Sequence, residues 1–183
     1  MDRLFLNNIT STLYDEWQNH VMHNTIYRLI ISVSGYEARS TYWTSESHKI
    51  LNKDLTHYLI AGFEQQKDKL NRPNNDKHYS DMELKVEQLP SDEWTSFKQV
   101  VQNALQNIYS NAGREPIEVH IDYSSMPRHW YCELPLFLEK ELRQKDLLFF
   151  WYTPGQYLAE NYPTAGIEDF RIFSGKSSLN PKF

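Results

Sequence analysis

Cysteine is nearly missing from this chain: Cys132 is the one thiol among 183 residues, which excludes an internal disulfide. The first residues also lack the charged-then-apolar order of a secretion signal, and the two observations together predict a cytoplasmic protein. Long apolar runs are missing as well. The longest, around Leu29 to Val33 and Leu147 to Tyr152, fall far short of the roughly 20 residues that span a bilayer, so no membrane crossing is expected. Positive charge is scarce. A formal net charge of −5 argues against bulk nucleic-acid binding, and any basic residue that matters must act by its position.

Several chemical signatures are absent too. There is no Gly-x-Gly-x-x-Gly, no Ser-His-Asp order, no nucleophile elbow, no internal repeat and no low-complexity tract. Gly175-Lys176-Ser177 ends like a phosphate-binding P-loop, yet Phe170 stands where the earlier glycine is needed, and a tail follows rather than a helix. His129 and Cys132 have the spacing of half a zinc site without a second pair, and Cys132 just inside a helix reads as core. No metal and no cofactor are expected.

What remains fits one domain. A chain of this length hides roughly 70% of its unfolded surface on folding. Ile26 to Val33 is dense in aliphatic and β-branched residues without alternation, as in a strand covered on both faces. Thr41 to Lys53 reads as a helix and Thr56 to Phe63 as a second strand. From Glu64 to Tyr79 the chain is polar and charged, which predicts a helix end and an exposed, mobile loop. Met82 to Leu89 alternates like a half-exposed strand near a sheet edge. Pro90-Ser-Asp-Glu93 then opens a helix with Trp94, Phe97, Val101, Ala104, Leu105 and Ile108 on one face, stopped at Asn111-Ala-Gly113. Ile117 to Asp122 is a strand, and the helix after it carries Tyr131, Leu134, Leu138 and Leu142 on one stripe with Pro135 inside, so it either kinks or starts late. Leu147 to Tyr152 reads as a buried strand, and Asp169 to Phe173 as a last one.

Strands alternating with helices predict an α/β fold, a three-layer Rossmann-like domain with a mainly parallel central sheet of about five strands. It covers residues 1–183, with a core over 25–173, an N-terminal helical segment over 1–24 and a tail over 174–183.

Three polar loops follow apolar runs, and in a parallel sheet such loops gather at the carboxyl edge, where ligands bind. In Ser34-Gly-Tyr-Glu-Ala-Arg-Ser40, Gly35, Tyr36, Arg39 and Ser40 are candidate ligand contacts. Arg39 suits phosphate, while Glu37 would hold a ribose hydroxyl or act as acid or base; alternatively Glu37 pairs with Arg39 or Arg128 and stitches loops together. In Asp122-Tyr-Ser-Ser-Met-Pro-Arg128, Ser124, Ser125 and Arg128 can wrap an anion at a helix start, with Asp122 orienting a hydroxyl or water. A plain helix cap with Asp122 bonded to backbone is the other reading. In Tyr152-Thr-Pro-Gly-Gln-Tyr157, Tyr152 or Tyr157 would stack a base, unless the stretch is an ordinary turn with surface tyrosines.

A strand ending in Asp-x-Ser-Ser-x-x-Arg and opening a helix resembles the polar loop of CRISPR-associated Rossmann-fold (CARF) sensor domains, whose usual form is Asp-x-Thr-Gly-Gly-Thr-Lys. The Ser34 to Ser40 loop is similar in position to that family's other ligand-contacting loop. The three loops also resemble those of uncharacterised bacterial proteins of antiphage defence. The resemblance implies a nucleotide-like ligand and a sensor, as a homodimer or with a protein partner. The expected function is thus binding of a phosphorylated nucleotide-like molecule at the carboxyl edge between strands one and four. Two alternatives stand beside it: a nucleotide or N-glycoside hydrolase using Glu37 or Asp122 as the catalytic carboxylate, and a non-catalytic protein-interaction subunit.

Overall fold

The unbroken aliphatic run Leu29-Ile-Ile31 lies at the centre of the molecule because its three side chains have no polar group to hydrate and gain from burial on both faces of the sheet. All three residues are fully buried. They belong to β1 (Tyr27–Ser34), the middle strand of the sheet. The computed structural model describes residues 25–90 and 93–154. Within them the chain runs through α1 (Tyr42–Ile50), β2 (Thr56–Phe63), α2 (Arg72–Asp81), β3 (Val86–Leu89), α3 (Trp94–Ala112), β4 (Ile117–Asp122), α4 (Arg128–Glu141) and β5 (Leu147–Trp151).

The five strands pair in parallel in the order β3-β2-β1-β4-β5. The order reverses between β1 and β4, which is the switch point where loops leave the carboxyl ends in opposite directions and open a crevice. This is the three-layer Rossmann-like α/β fold. No helix among the described residues is long and apolar enough to cross a membrane.

Alternation along the central strands divides the two faces. Leu29, Ile31 and Val33 of β1 and Ile117, Val119 and Ile121 of β4 join the main core with α3 and α4. There the Trp130 ring lies flat on Phe97, centroids 4.1 Å apart. The other face is mixed. Ile30 packs under Trp43 of α1, with Trp151, but its neighbours in the rows are Arg28, Ser32, Glu118, His120 and Asp122, all buried. Such groups are tolerated only when bonded to one another. Arg28 Nε donates to Glu118 Oε2 at 2.6 Å, and the Trp151 indole N–H donates to His120 Nδ1 at 3.0 Å, which leaves the imidazole proton on Nε2, facing Glu118.

Three expectations need correction. The polar stretch 64–79 is not mainly a loop: α2 starts at Arg72, with Pro73 in its first turn, where a missing N–H costs nothing. And β5 is not buried but lies at the sheet edge, with Leu147 46% exposed and the next three residues half-buried. β3 is shorter than the alternation from Met82 implied, because Met82 closes α2 by donating to His78 O and Glu83 turns with φ at 62°. Pro135 lies within α4, which starts at Arg128 regardless. The expected helix in 1–24, the strand at 169–173 and the tail lie outside the described residues.

Candidate functional site

The first loop, Ser34 to Ser40, is held from beneath by α2. Asn75 Nδ2 sits 2.8 Å from Gly35 O, 2.9 Å from Glu37 O and 2.9 Å from Ser40 Oγ. Tyr79 donates its hydroxyl to Ser40 O at 2.7 Å, and Ser34 Oγ donates to Asp76 Oδ1 at 2.5 Å. These five α2 contacts give a short loop one conformation. Arg72, also from α2, is 1% exposed and ties the strand ends together through Asp76 Oδ1 (2.6 Å), Phe63 O (3.1 Å) and Gln88 Oε1 (2.9 Å).

The second loop begins with a buried Asx turn. Asp122 Oδ1 accepts from Ser124 N at 3.0 Å and from Ser124 Oγ at 2.5 Å, while Oδ2 is buried without a hydrogen bond. Burial pushes the Asp122 carboxyl up to about 6, and its bonds from Ser124 and the field of Arg39 only partly pull it back. Met126 drops into the main core, which anchors the loop's middle. Ser125 touches the first loop so closely that a Cβ on Gly35 would lie 2.6 Å from the Ser125 Cβ. Glycine is required at position 35 for that approach.

The third loop closes over the other two. Thr153 N donates to Ser124 Oγ at 2.7 Å and Tyr123 N to Trp151 O at 3.1 Å. Arg39 reaches across from the first loop: Nη1 lies 2.8 Å from both Tyr152 Oη and Thr153 O, and Nε pairs with Glu37. Its guanidinium also covers the Tyr152 ring, 5.1 Å from the centroid, and Tyr123 stacks on the same ring at 5.3 Å.

The three sequence-predicted loops therefore meet, at the switch point between β1 and β4. Their residues divide into two groups. Gly35, Ser40, Ser124 and Asp122 are buried, and the polar groups of Ser40, Ser124 and Asp122 are engaged by the chain itself, so they frame the site from behind rather than line it. Tyr36, Tyr152 and Arg128 are exposed, and Glu37 (37%) and Arg39 (15%) are in between. Of the two candidate carboxylates only Glu37 reaches solvent, and it does so while paired with Arg39. Tyr152 has committed its hydroxyl and much of its ring to Arg39 and Tyr123, which stands against its stacking a base in this conformation. Tyr157 lies outside the described residues.

Arg128 is different. It forms no ion pair among the described residues, and it occupies the first turn of α4, which no side chain caps. Ser125 Oγ, just before that turn, is buried and has no hydrogen-bond partner among the described residues. His129 is exposed beside them. Among the described residues no three His, Cys, Asp or Glu side chains converge as a metal site would require.

Sequence reasoning missed the α2 residues Arg72, Asn75, Asp76 and Tyr79. The signal was present in their spacing, since positions 72, 75, 76 and 79 fall on one helical face. They were masked by the polarity of their neighbours.

Compared with protein-family models, curated proteins and solved structures, the chain matches no family model, no curated protein and no solved structure.

Proposed function

We propose that this domain binds a phosphorylated, nucleotide-like ligand at the carboxyl edge of the sheet, with its anionic group at the start of α4. The observation that carries this reading is the uncapped first turn of α4 at the switch point, beside the exposed Arg128, which forms no ion pair among the described residues, with the buried Ser125 hydroxyl, unpartnered among them, behind it. Free N–H groups and the positive end of the helix dipole favour an anion there, and a guanidinium adds a bidentate contact. Glu37 and Tyr36 stand on the facing loop, placed to meet a sugar hydroxyl and a ring. A sensing role in antiphage defence, as a homodimer or through a protein partner, rests on the loop resemblance alone.

One observation favours a second reading. Arg39, which a phosphate-binding role would leave free, instead bridges the first and third loops through Glu37, Tyr152 and Thr153. A rim closed by its own side chains is what a protein-interaction subunit would present.

Calorimetric titration with mono-, di-, tri- and cyclic oligonucleotides separates the two. Nucleotide binding predicts saturable uptake by the full chain that falls at least about tenfold in Arg128→Ala, in line with roughly 1.5–3 kcal/mol for a hydrogen bond to a charged group. Thermal unfolding of the variant should match wild type, because Arg128 is exposed. Affinity unchanged by Arg128→Ala would remove the role given to that residue, and no uptake of any nucleotide would leave the interaction reading.

A further inference from the structure

We propose that Asp122 is a proton-operated latch on the third loop: ionised, it fastens Ser124 and through it Thr153, and on taking up one proton it lets that connection slacken. The geometry is a chain of contacts that runs beside the Tyr123–Trp151 backbone bond and the Tyr123–Tyr152 stack and is the part of the loop junction that reaches a carboxylate. Asp122 Oδ1 receives both the N–H and the hydroxyl of Ser124, which orients that hydroxyl so that its lone pair meets Thr153 N–H at 2.7 Å. Thr153 in turn offers its carbonyl to Arg39 of the first loop. The carboxylate therefore stands at the root of the path that joins all three loops.

The groups around Asp122 leave it free to change charge. Arg39, from the turn after β1, is the cation whose field reaches it. From α2 the neighbour is Tyr79, whose hydroxyl is bonded to Ser40 O. From β1 it is Ser32, whose hydroxyl carries no bond of its own, and from its own loop Tyr123. On β5 the register partner is Trp151. On its own strand the same face carries His120, whose Nδ1 accepts from Trp151 and whose Nε2 faces Glu118, so it is the imidazole whose own response the Asp122→Asn variant separates from that of Asp122.

Since Oδ1 already accepts two hydrogen bonds, the proton goes to Oδ2, which faces Ser32 and has no partner to lose. Oδ1 then becomes a neutral carbonyl oxygen. Hydrogen bonds to an ionised acceptor are roughly twice as strong as those to a neutral one, so the Ser124 contacts weaken and Thr153 is held less firmly. Burial places this event at about pH 6, within reach of ordinary cellular change. The consequence for ligand binding rests on the reading of this rim as the binding site; the latch itself does not.

The test therefore uses the full chain without ligand, which also avoids the second ionisation of a phosphate near the same pH. The Asp122 side-chain carboxyl carbon and the Thr153 amide are followed by NMR from pH 4.5 to 8. Both should titrate with a shared midpoint near 6. In Asp122→Asn the Thr153 transition should vanish, and in Ser124→Ala Asp122 should still titrate while the Thr153 response is lost. An Asp122 midpoint in the ordinary carboxylate range, a flat Thr153 amide in the wild type, or a Thr153 transition that survives in Asp122→Asn would each overturn the proposal.

Discussion

Replacing Gly62 with alanine should lower the melting temperature by about 6–12 °C, although the change adds one methyl group. Gly62, the next-to-last residue of β2, lies beside the guanidinium of Arg72, and a Cβ there would lie 2.0 Å from Nη2 and 2.7 Å from Val86 Cγ1. An exposed arginine would swing aside at little cost. Arg72 cannot, because it is 1% exposed and bonded to Asp76, Phe63 O and Gln88. Moving it breaks contacts that tie the carboxyl ends of β2 and β3 to Asp76, which itself receives the Ser34 hydroxyl from β1. Overpacking of this kind costs about 1–3 kcal/mol, and disturbing a buried charge adds to it, so about 3 kcal/mol is expected. At roughly 2–4 °C per kcal/mol for a chain of this size, the stated shift follows. A change below about 2 °C would show that the guanidinium has room to move and that Arg72 does not lock the strand ends.

Asp122→Asn, by contrast, should stabilise the protein at neutral pH. The folded-state carboxyl lies at about 6 against an ordinary value of 3.8, so the folded protein holds its proton more tightly than the unfolded chain does. The sign follows from linkage: the stability associated with this group is fully present below pH 3.8 and is lost as pH rises through about 6. About two pKa units correspond to about 3 kcal/mol at pH 7. Asparagine keeps an oxygen for Ser124 and places an N–H₂ toward Ser32, but carries no charge to desolvate. The variant should gain stability at pH 7, whereas at pH 4 it should differ little from wild type, and the pH-dependent part of its unfolding free energy between 4 and 7 should shrink by about 3 kcal/mol. Equal effects at both pH values would mean that Asp122 is ionised throughout. A carboxylate kept at such a cost in a rim of converging loops is itself a pointer to function.

Much of the fold was legible because burial leaves a plain trace in sequence. β1 and β2 carry continuous apolar runs, Leu29-Ile-Ile31 and Leu59-Ile-Ala61, and the stripe from Trp94 to Ile108 falls on one face of α3 as the 3.6-residue period requires, whereas β4 is just as buried but alternates Ile117, Val119 and Ile121 with Glu118, His120 and Asp122. β5 misled for the same reason: Leu-Leu-Phe-Phe-Trp is as apolar as a central strand, and composition does not reveal that the strand order puts it at the edge. α2 misled in the opposite direction. Its buried face is made of Arg72, Asn75 and Tyr79, which serve by hydrogen bonding to a loop rather than by burying hydrocarbon, so no apolar period marks it. The site was legible at the level of loops and not of side chains. That the Ser34, Asp122 and Tyr152 loops converge follows from topology, but the division between residues that face solvent and those that face the protein depends on contacts between loops more than 80 positions apart, such as Gly35 against Ser125. Pairing of Glu37 with Arg39 was one of two readings open in the sequence, and it is the arrangement present.

The central claim is that an anionic ligand settles on the first turn of α4, between the first and second loops. Its most direct measurement is amide chemical-shift mapping of the full chain during titration with a nucleoside phosphate and, separately, with the unphosphorylated nucleoside. The phosphate should move the amides of Ser125, Arg128 and His129 together with those of Tyr36 and Glu37, and the nucleoside alone should leave the first three in place. Shifts confined to other surfaces, or the same shifts with and without the phosphate, would contradict the account.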